Sequence, residues 1–386
     1  MFIKVGRTPM TNLEATITER RRQTRNSIYQ YLFYSDTSHS KLEIASDLSL
    51  SLPTVHQNLT ELIEAGLIRR DGTYQSTGGR RAMRLTIAEY ARFAVGVSVT
   101  DNGLRFVAAN LRMQEIACKK TERLAISEID DVGRLLANEL ESFLDEFGLN
   151  RSSLLGVGIT LPAVIDPDNE NIRLAPTLHL KDISLKKIIQ YINYPVYVSN
   201  DATSAGYAEW FSSPEQSSMA YLFLESGVGG AVLLKGAPYF GVNQRSGEFG
   251  HMCVEPNGRP CKCGKYGCLE AYISSARISD DLGISIEEFF KGLQNKKPEY
   301  EALWQDVLKH LAIGVNNIRM ALDCDVVIGG LIAMYMEPYM PELRRLAAQL
   351  NTFETNGDYL KLCHYSRSAA TLGVALHFIR EFIESI

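Results

Sequence analysis

Three thiols and one imidazole fall within eighteen consecutive residues of this chain, at His251, Cys261, Cys263 and Cys268, and they constrain the fold more than any other feature. Zinc takes four tetrahedral nitrogen or sulfur ligands, and Gly258, Gly264 and Gly267 let a short segment turn tightly around one ion. The spacing predicts a Cys3His structural zinc site, against the bland alternative of reduced cysteines gathered by chance. Cys118, Cys253, Cys324 and Cys363 lack such company and read as ordinary buried small side chains. Seven cysteines in 386 residues are too few for a secreted disulfide scaffold.

With 45% hydrophobic and 22% charged residues the chain can bury substantial cores, and its length allows two or three domains. Its longest apolar stretch, Val326 to Met336, is broken by Gly329-Gly330 and falls short of the ~20 residues a bilayer span needs. The segment from Met1 to Gln23 has neither the apolar core nor the cleavage pattern of a signal peptide, so a cytoplasmic location without membrane partners is expected. Residues 1–88 hold twelve Lys and Arg against eight Asp and Glu, a balance of +4, whereas the whole chain is formally −5, leaving −9 for the rest. A basic head on an acidic body is what a nucleic-acid-binding protein shows.

After an N-terminal arm over residues 1–18, three helical patterns follow: Glu19 to Tyr34, Ser40 to Leu48 and Leu52 to Ala65. In the third, Val55, Leu59, Leu62 and Ile63 mark one buried face, with Thr54, His56, Gln57, Asn58 and Glu61 opposite. Ser49-Leu50-Ser51 supplies a short turn between helices two and three, and Gly66 stops the third. Leu67 to Arg70 and Arg84 to Ile87 read as strands of a β-wing around the polar tip Asp71 to Arg81. Residues 19–88 are thus expected to form a winged helix-turn-helix. Ser51, Thr54, His56, Gln57 and Asn58 would face base edges in the major groove of double-stranded operator DNA. Arg80 and Arg81 would reach phosphates or a narrow minor groove, and Arg20, Arg21, Arg22 and Arg25 are further phosphate candidates. The bland reading is a three-helix packing module with a solvated polar face.

From Phe93 the pattern becomes α/β. Strands are expected at Phe93 to Val99, Leu104 to Asn110, Leu154 to Thr160, Val196 to Ser199, Met219 to Leu224, Gly230 to Leu234 and Val326 to Ile328. Helices are expected at Asp130 to Phe147, Ala202 to Trp210 and Ala369 to Ile383, with the cysteine loop at 250–270 and no internal repeat at the residue level. Sugar hydroxyls need fixed donors and acceptors, which Asn, Asp, Glu and His provide. Asn200-Asp201 follows a strand, at the carboxyl end where α/β ligand sites lie, although Asn-Asp is also a common helix start.

The run Gly247-Glu248-Phe249-Gly250-His251-Met252, with Cys261-x-Cys263-Gly264-x-x-Gly267-Cys268-Leu269-Glu270-Ala271, resembles the signature of the ROK family of repressors, open reading frames and kinases. The resemblance covers roughly Arg20 to the C-terminus. It implies a two-lobed, actin-like (ribonuclease H-like) ATPase body over residues 89–386 with a sugar in its cleft, and in repressor members an N-terminal winged helix. The small lobe would span about 89–199 plus the helix 369–386, and the large lobe about 200–368. Asp201 matches the general base of the family's sugar kinases. Glu248, His251 and Glu270 match positions that bind sugar hydroxyls, with His251 also resembling a zinc ligand.

The nucleotide side separates kinase from sensor. ROK kinases carry Asp-x-Gly-Gly-Thr on the first hairpin of the body, where bare glycine backbone approaches phosphate. Here that stretch reads Ser98-Val99-Thr100-Asp101-Asn102, putting a carboxylate and bulk where kinases use neutral amides. Ser226 to Gly230 resembles the second phosphate loop and Gly329-Gly330 the adenosine motif, while Ala163 stands where the family usually has glycine. The expected function is a non-enzymatic, sugar-responsive repressor of carbohydrate genes acting as a homodimer or tetramer. The alternatives are an active ATP-dependent sugar kinase with a DNA-binding head, or a repressor governed by a partner protein.

Overall fold

The computed structural model describes residues 17–73, 83–100, 103–121, 129–166, 168, 170–213, 217–365 and 367–386. Arg80, Arg81, Asp101, Asn102 and the first sixteen residues lie outside the described residues. Helices α1 (Ile17–Phe33), α2 (Lys41–Asp47) and α3 (Leu52–Glu64) precede strands β1 (Ile68–Thr73) and β2 (Met83–Ile87), an antiparallel pair with Ile68 opposite Ile87. Two serines start the second and third helices. Ser40 accepts from the Glu43 amide while Glu43 reaches back to the Ser40 amide, and Ser51 accepts from the Thr54 amide. Val55, Leu59 and Leu62 bury with Ile28, Tyr29 and Leu32 of α1.

Asn58 departs from expectation. It is only 3% exposed and its Nδ2 donates to the Thr54 carbonyl at 2.9 Å. Three residues after Val55, it falls within about 60° of that side chain around a 3.6-residue turn, on the buried stripe rather than opposite it. Ser51, His56 and Gln57 are exposed and Thr54 is half-buried. Arg21 pairs with Glu61 of α3, and Arg25 lies 3.6 Å from the same carboxylate, so both brace α1 on α3.

The body opens with an antiparallel meander, β3 (Phe93–Thr100), β4 (Gly103–Asn110) and β5 (Glu115–Lys120). Helix α4 (Ile129–Glu146) leads to β6 (Leu154–Leu161), parallel to β3. A small sheet of β7 (Val164–Ile165), β8 (Asn171–Ala175) and β9 (Leu180–Ser184) follows, then α5 (Lys186–Ile189) and β10 (Val196–Asn200), parallel to β6. Beyond α6 (Asp201–Ser212) a second meander forms from β11 (Met219–Leu224), β12 (Val228–Leu234) and β13 (Ala237–Pro238). Helices α7 (Glu270–Ile273), α8 (Ser275–Leu282), α9 (Ile286–Gln294) and α10 (Pro298–Leu322) intervene before β14 (Asp325–Gly329), α11 (Met340–Leu350), β15 (Leu360–Leu362) and the last helix, α12 (Ala369–Ser385).

The sheets run β10-β6-β3-β4-β5 and β13-β12-β11-β14-β15. Numbered within each sheet, both are 3-2-1-4-5, a duplicated architecture that leaves no residue-level repeat. Every residue of β11 is buried, as a central strand covered on both faces requires.

Helix α12 joins the parts. A Cβ on Gly96 of β3 would sit 1.8 Å from the Thr371 carbonyl oxygen, and one on Gly373 1.7 Å from that of Ser204 in α6, so α12 meets both neighbours backbone to backbone. Its far end holds α1. Asn26 donates to the Ile383 carbonyl at 2.9 Å, and Tyr29 meets Phe382 edge-on. From the β4–β5 turn, Arg112 donates to the Phe33 carbonyl and to those of Leu32 (3.3 Å) and Ser35 (3.0 Å), satisfying acceptors that a helix end leaves open. Among the described residues, no helix is long and apolar enough to cross a membrane.

Replacing Gly373 by Ala should overpack the α6–α12 contact by roughly 1–3 kcal/mol or more. At about 2–4 °C per kcal/mol for a domain of this size, the melting temperature should fall measurably. An unchanged melt would contradict the contact.

Candidate functional site

The cysteine loop closes on itself through backbone bonds: Cys261 N–H to Lys265 O (2.8 Å), Gly264 N–H to Cys261 O (2.9 Å) and Val254 N–H to Gly267 O (2.8 Å). This brings one donor atom each from His251, Cys261, Cys263 and Cys268 within 4.8 Å of one another. Cys263 Sγ lies 3.7 Å from Cys268 Sγ, and Cys261 Sγ 3.9 Å from His251 Nδ1. A tetrahedron with metal–sulfur bonds of about 2.3 Å has sulfur–sulfur edges of about 3.8 Å, so the donor set fits one zinc-sized ion. Burial pushes the Cys261 thiol up to about 12, and a bound cation is what would let it ionise. Cys324 is buried and Cys118 and Cys363 are partly so, but Cys253 is exposed, correcting its reading as a core side chain.

The loop touches two carboxylates, Glu248 and Glu270. His251 Nε2 lies 3.9 Å from Glu248 Oε2. Cys261 Sγ lies 3.7 Å from Glu270 Oε1, whose partner oxygen accepts the Val228 amide at 2.9 Å. Glu248 lines a recess of about 520 Å³, open solvent included, together with Asn200, Asp166, Ser199, Thr203 and Gln244. Asn200 is the N-cap of α6: its Oδ1 accepts the Thr203 amide at 2.9 Å, and its Nδ2 donates to the Ala163 carbonyl at 3.2 Å. The helix-start role is therefore real, and Asn200 still faces the recess.

Asp201 begins α6, with Oδ1 accepting the Ala202 amide at 2.8 Å. Burial, with the charge of Glu248, lifts its carboxyl up to about 7. A fourth carboxylate was missed from sequence. Glu225 ends the β11 edge of the glycine-rich turn, its Oε1 accepts the Leu331 amide at 2.9 Å, and burial together with Asp201 lifts it to about 7. Its signal was an acid entering a glycine run. Glu248 is raised by burial and by Glu270, and is lowered by His251 and Arg245.

The groove-facing candidates gather on the first two turns of α3, where His56 Nδ1 lies 2.8 Å from Lys41 Nζ. Thr100 stands opposite Gly103 at the end of the β3–β4 hairpin.

Because the folded Asp201 holds its proton more tightly than its ordinary 3.8, its contribution to stability is full below that value and fades as pH rises through about 7. Asp201→Asn should therefore melt a few degrees above the parent near pH 8, and the gap should close towards pH 4. Parallel melting curves across that range would contradict the assignment.

Residues 98–381 match the ROK family. The xylose repressor of Bacillus subtilis (strain 168) is 25% identical over 370 residues, spanning 90% of this chain and 92% of that protein. A ROK family transcriptional regulator described as a homologue of the E. coli MLC protein superposes with a TM-score of 0.75 at 20% identity, over 95% of this chain and 97% of that one. The ROK hexokinase of Thermus thermophilus superposes at 0.58 with 25% identity, over 75% of this chain and 99% of the enzyme. The two 3-2-1-4-5 sheets are thus the mixed α/β, actin-like body shared by these proteins, and the chain belongs to the ROK family.

Proposed function

We propose that the chain is a sugar-responsive, non-catalytic transcriptional repressor of carbohydrate genes. Residues 19–88 serve as a winged helix-turn-helix that binds operator DNA, and residues 89–386 as the sugar-binding body, with the lobes divided near residue 200 and α12 returning to the first. The observation that carries this reading is the exposed polar start of α3, with Ser51, His56 and Gln57 outward, on a head docked against a kinase-like body. The likeness to a protein named xylose repressor along nine-tenths of the chain supports it. Ser51, Thr54, His56 and Gln57 would read bases, and Arg80 and Arg81 would add wing contacts. A homodimer or tetramer would set two heads one helical turn of DNA apart.

In the body, Asn200, Asp201, Glu248, His251 and Glu270 are the proposed sugar ligands. His251, Cys261, Cys263 and Cys268 would hold a structural zinc ion, which fixes the orientation of His251 and the loop that carries Glu248 and Glu270. The kinase reading keeps one specific support: a carboxyl near 7 at Asp201 suits a general base at neutral pH.

Selection from random duplexes should enrich a two-fold symmetric site, and His56→Ala or Gln57→Ala should weaken binding to it by roughly 1–3 kcal/mol, about 5- to 150-fold. Recovery of no preferred sequence would reject the head's role. Coupled assays with MgATP over hexoses, pentoses and N-acetylhexosamines should show no turnover; turnover abolished by Asp201→Asn would establish the kinase instead. Cys263→Ser should lower zinc content by mass spectrometry and lower the melting temperature, and a full zinc complement in that variant would contradict the ligand set.

A further inference from the structure

We propose that the cleft excludes anions and so takes an uncharged, unphosphorylated sugar, with Glu225 as the residue that closes the place where a phosphate group would otherwise be held. This rests on the reading of the cleft as a carbohydrate site and narrows its ligand to one chemical class.

The inference starts from where the backbone donors go. A phosphate dianion offers only acceptors and must be met by N–H groups or cations, whereas a sugar hydroxyl donates as well as accepts. Around this cleft four amides that could greet an anion are already used by the chain's own side chains. Leu331 N–H, after the Gly329-Gly330 turn, goes to Glu225 Oε1 at 2.9 Å. Val228 N–H, inside the glycine-rich turn, goes to Glu270 Oε2 at 2.9 Å. At the start of α6, Ala202 N–H goes to Asp201 Oδ1 at 2.8 Å and Thr203 N–H to Asn200 Oδ1 at 2.9 Å. Three of these four acceptors are carboxylates. The space over the glycine-rich turn is filled too, since a Cβ on Gly227 would lie 2.9 Å from Glu270 Oε2.

Charge acts in the same direction. Asp201 and Glu225 lie within electrostatic reach of one another, the charge of Asp201 raising Glu225. A phosphate ester placed near Asp201 and Glu225 would meet acids on both sides, with the Leu331, Val228, Ala202 and Thr203 amides already taken, and such like-charge contact strongly disfavours binding. A hydroxyl at the same position donates to either carboxylate without penalty. Glycine-rich turns that resemble phosphate loops therefore hold internal carboxylates in place of a ligand's phosphate.

Calorimetric titration of the full chain with pyrophosphate, MgATP, and paired probes (D-glucose and its 6-phosphate, N-acetyl-D-glucosamine and its 6-phosphate, and D-xylose) tests this. Pyrophosphate and MgATP should give no binding heat. Any free sugar that binds should do so at least about 100-fold more tightly than its phosphate ester. Glu225→Gln removes the charge but keeps an acceptor for Leu331 N–H, and Glu225→Gly also frees that amide. Pyrophosphate affinity should rise about tenfold or more in the first variant that remains folded by circular dichroism, and further in the second. Pyrophosphate or a 6-phosphate binding the parent as tightly as the free sugars would overturn the proposal, as would no gain in both folded variants. If no sugar binds while the variants still gain pyrophosphate, the carbohydrate reading fails and anion exclusion stands.

Discussion

Helix α12 has no room for side chains where it meets β3 and α6. Thr371 lies over Gly96, and Gly373 lies over Ser204, with separations that even one added methyl group would violate. Contacts of this kind do not stretch gradually, because packed interiors resist compression and shift between discrete arrangements. The same helix carries the carbonyl and ring that hold α1, so α12 links α6 to α1 directly. The N-terminus of α6 bears Asn200 and Asp201, and α1 braces α3 through Arg21, Arg25 and Glu61. On the proposed function, a ligand that tilts α6 would thereby tilt the DNA-reading helix.

The cysteine loop contributes to this device from the opposite wall. His251 faces Cys261 with one ring nitrogen and Glu248 with the other, and Glu270 lies between Cys261 and the glycine-rich turn. A metal held there would set the tautomer of His251 and the position of both acids, in the way that outer-shell carboxylates and metal-bound imidazoles commonly fix one another. Loop order and cleft shape are then a single property.

Much of this was legible in sequence because burial writes periodicity. The stripe Val55, Leu59 and Leu62 marked α3, and continuous apolar runs marked β3, β11 and β14. Cysteine spacing brought the four metal candidates together without any knowledge of the fold. Asn58 was misplaced because its Nδ2 can bond back to its own helix, at the Thr54 carbonyl, and so let a polar side chain ride on the buried stripe. Strands β8 and β9 were missed because Arg173, Lys181 and Asp182 break the alternation that reveals a half-buried strand. The duplicated sheet order could not be read, since many unrelated residue patterns bury the same topology. Glu225 stayed hidden because its role depends on Leu331, more than a hundred residues away.

Reciprocity between the two ends of the molecule is the most direct test of the central claim. If cleft and head are coupled through α6, α12 and α1, a bound sugar must change the dissociation constant for operator DNA by the same factor by which DNA changes that for the sugar. Fluorescence anisotropy of a selected operator duplex, titrated with and without saturating sugar and then in the reverse order, should return equal factors well above one, or equal factors well below it. A sugar that binds in the cleft while the DNA affinity stays the same would contradict the coupling.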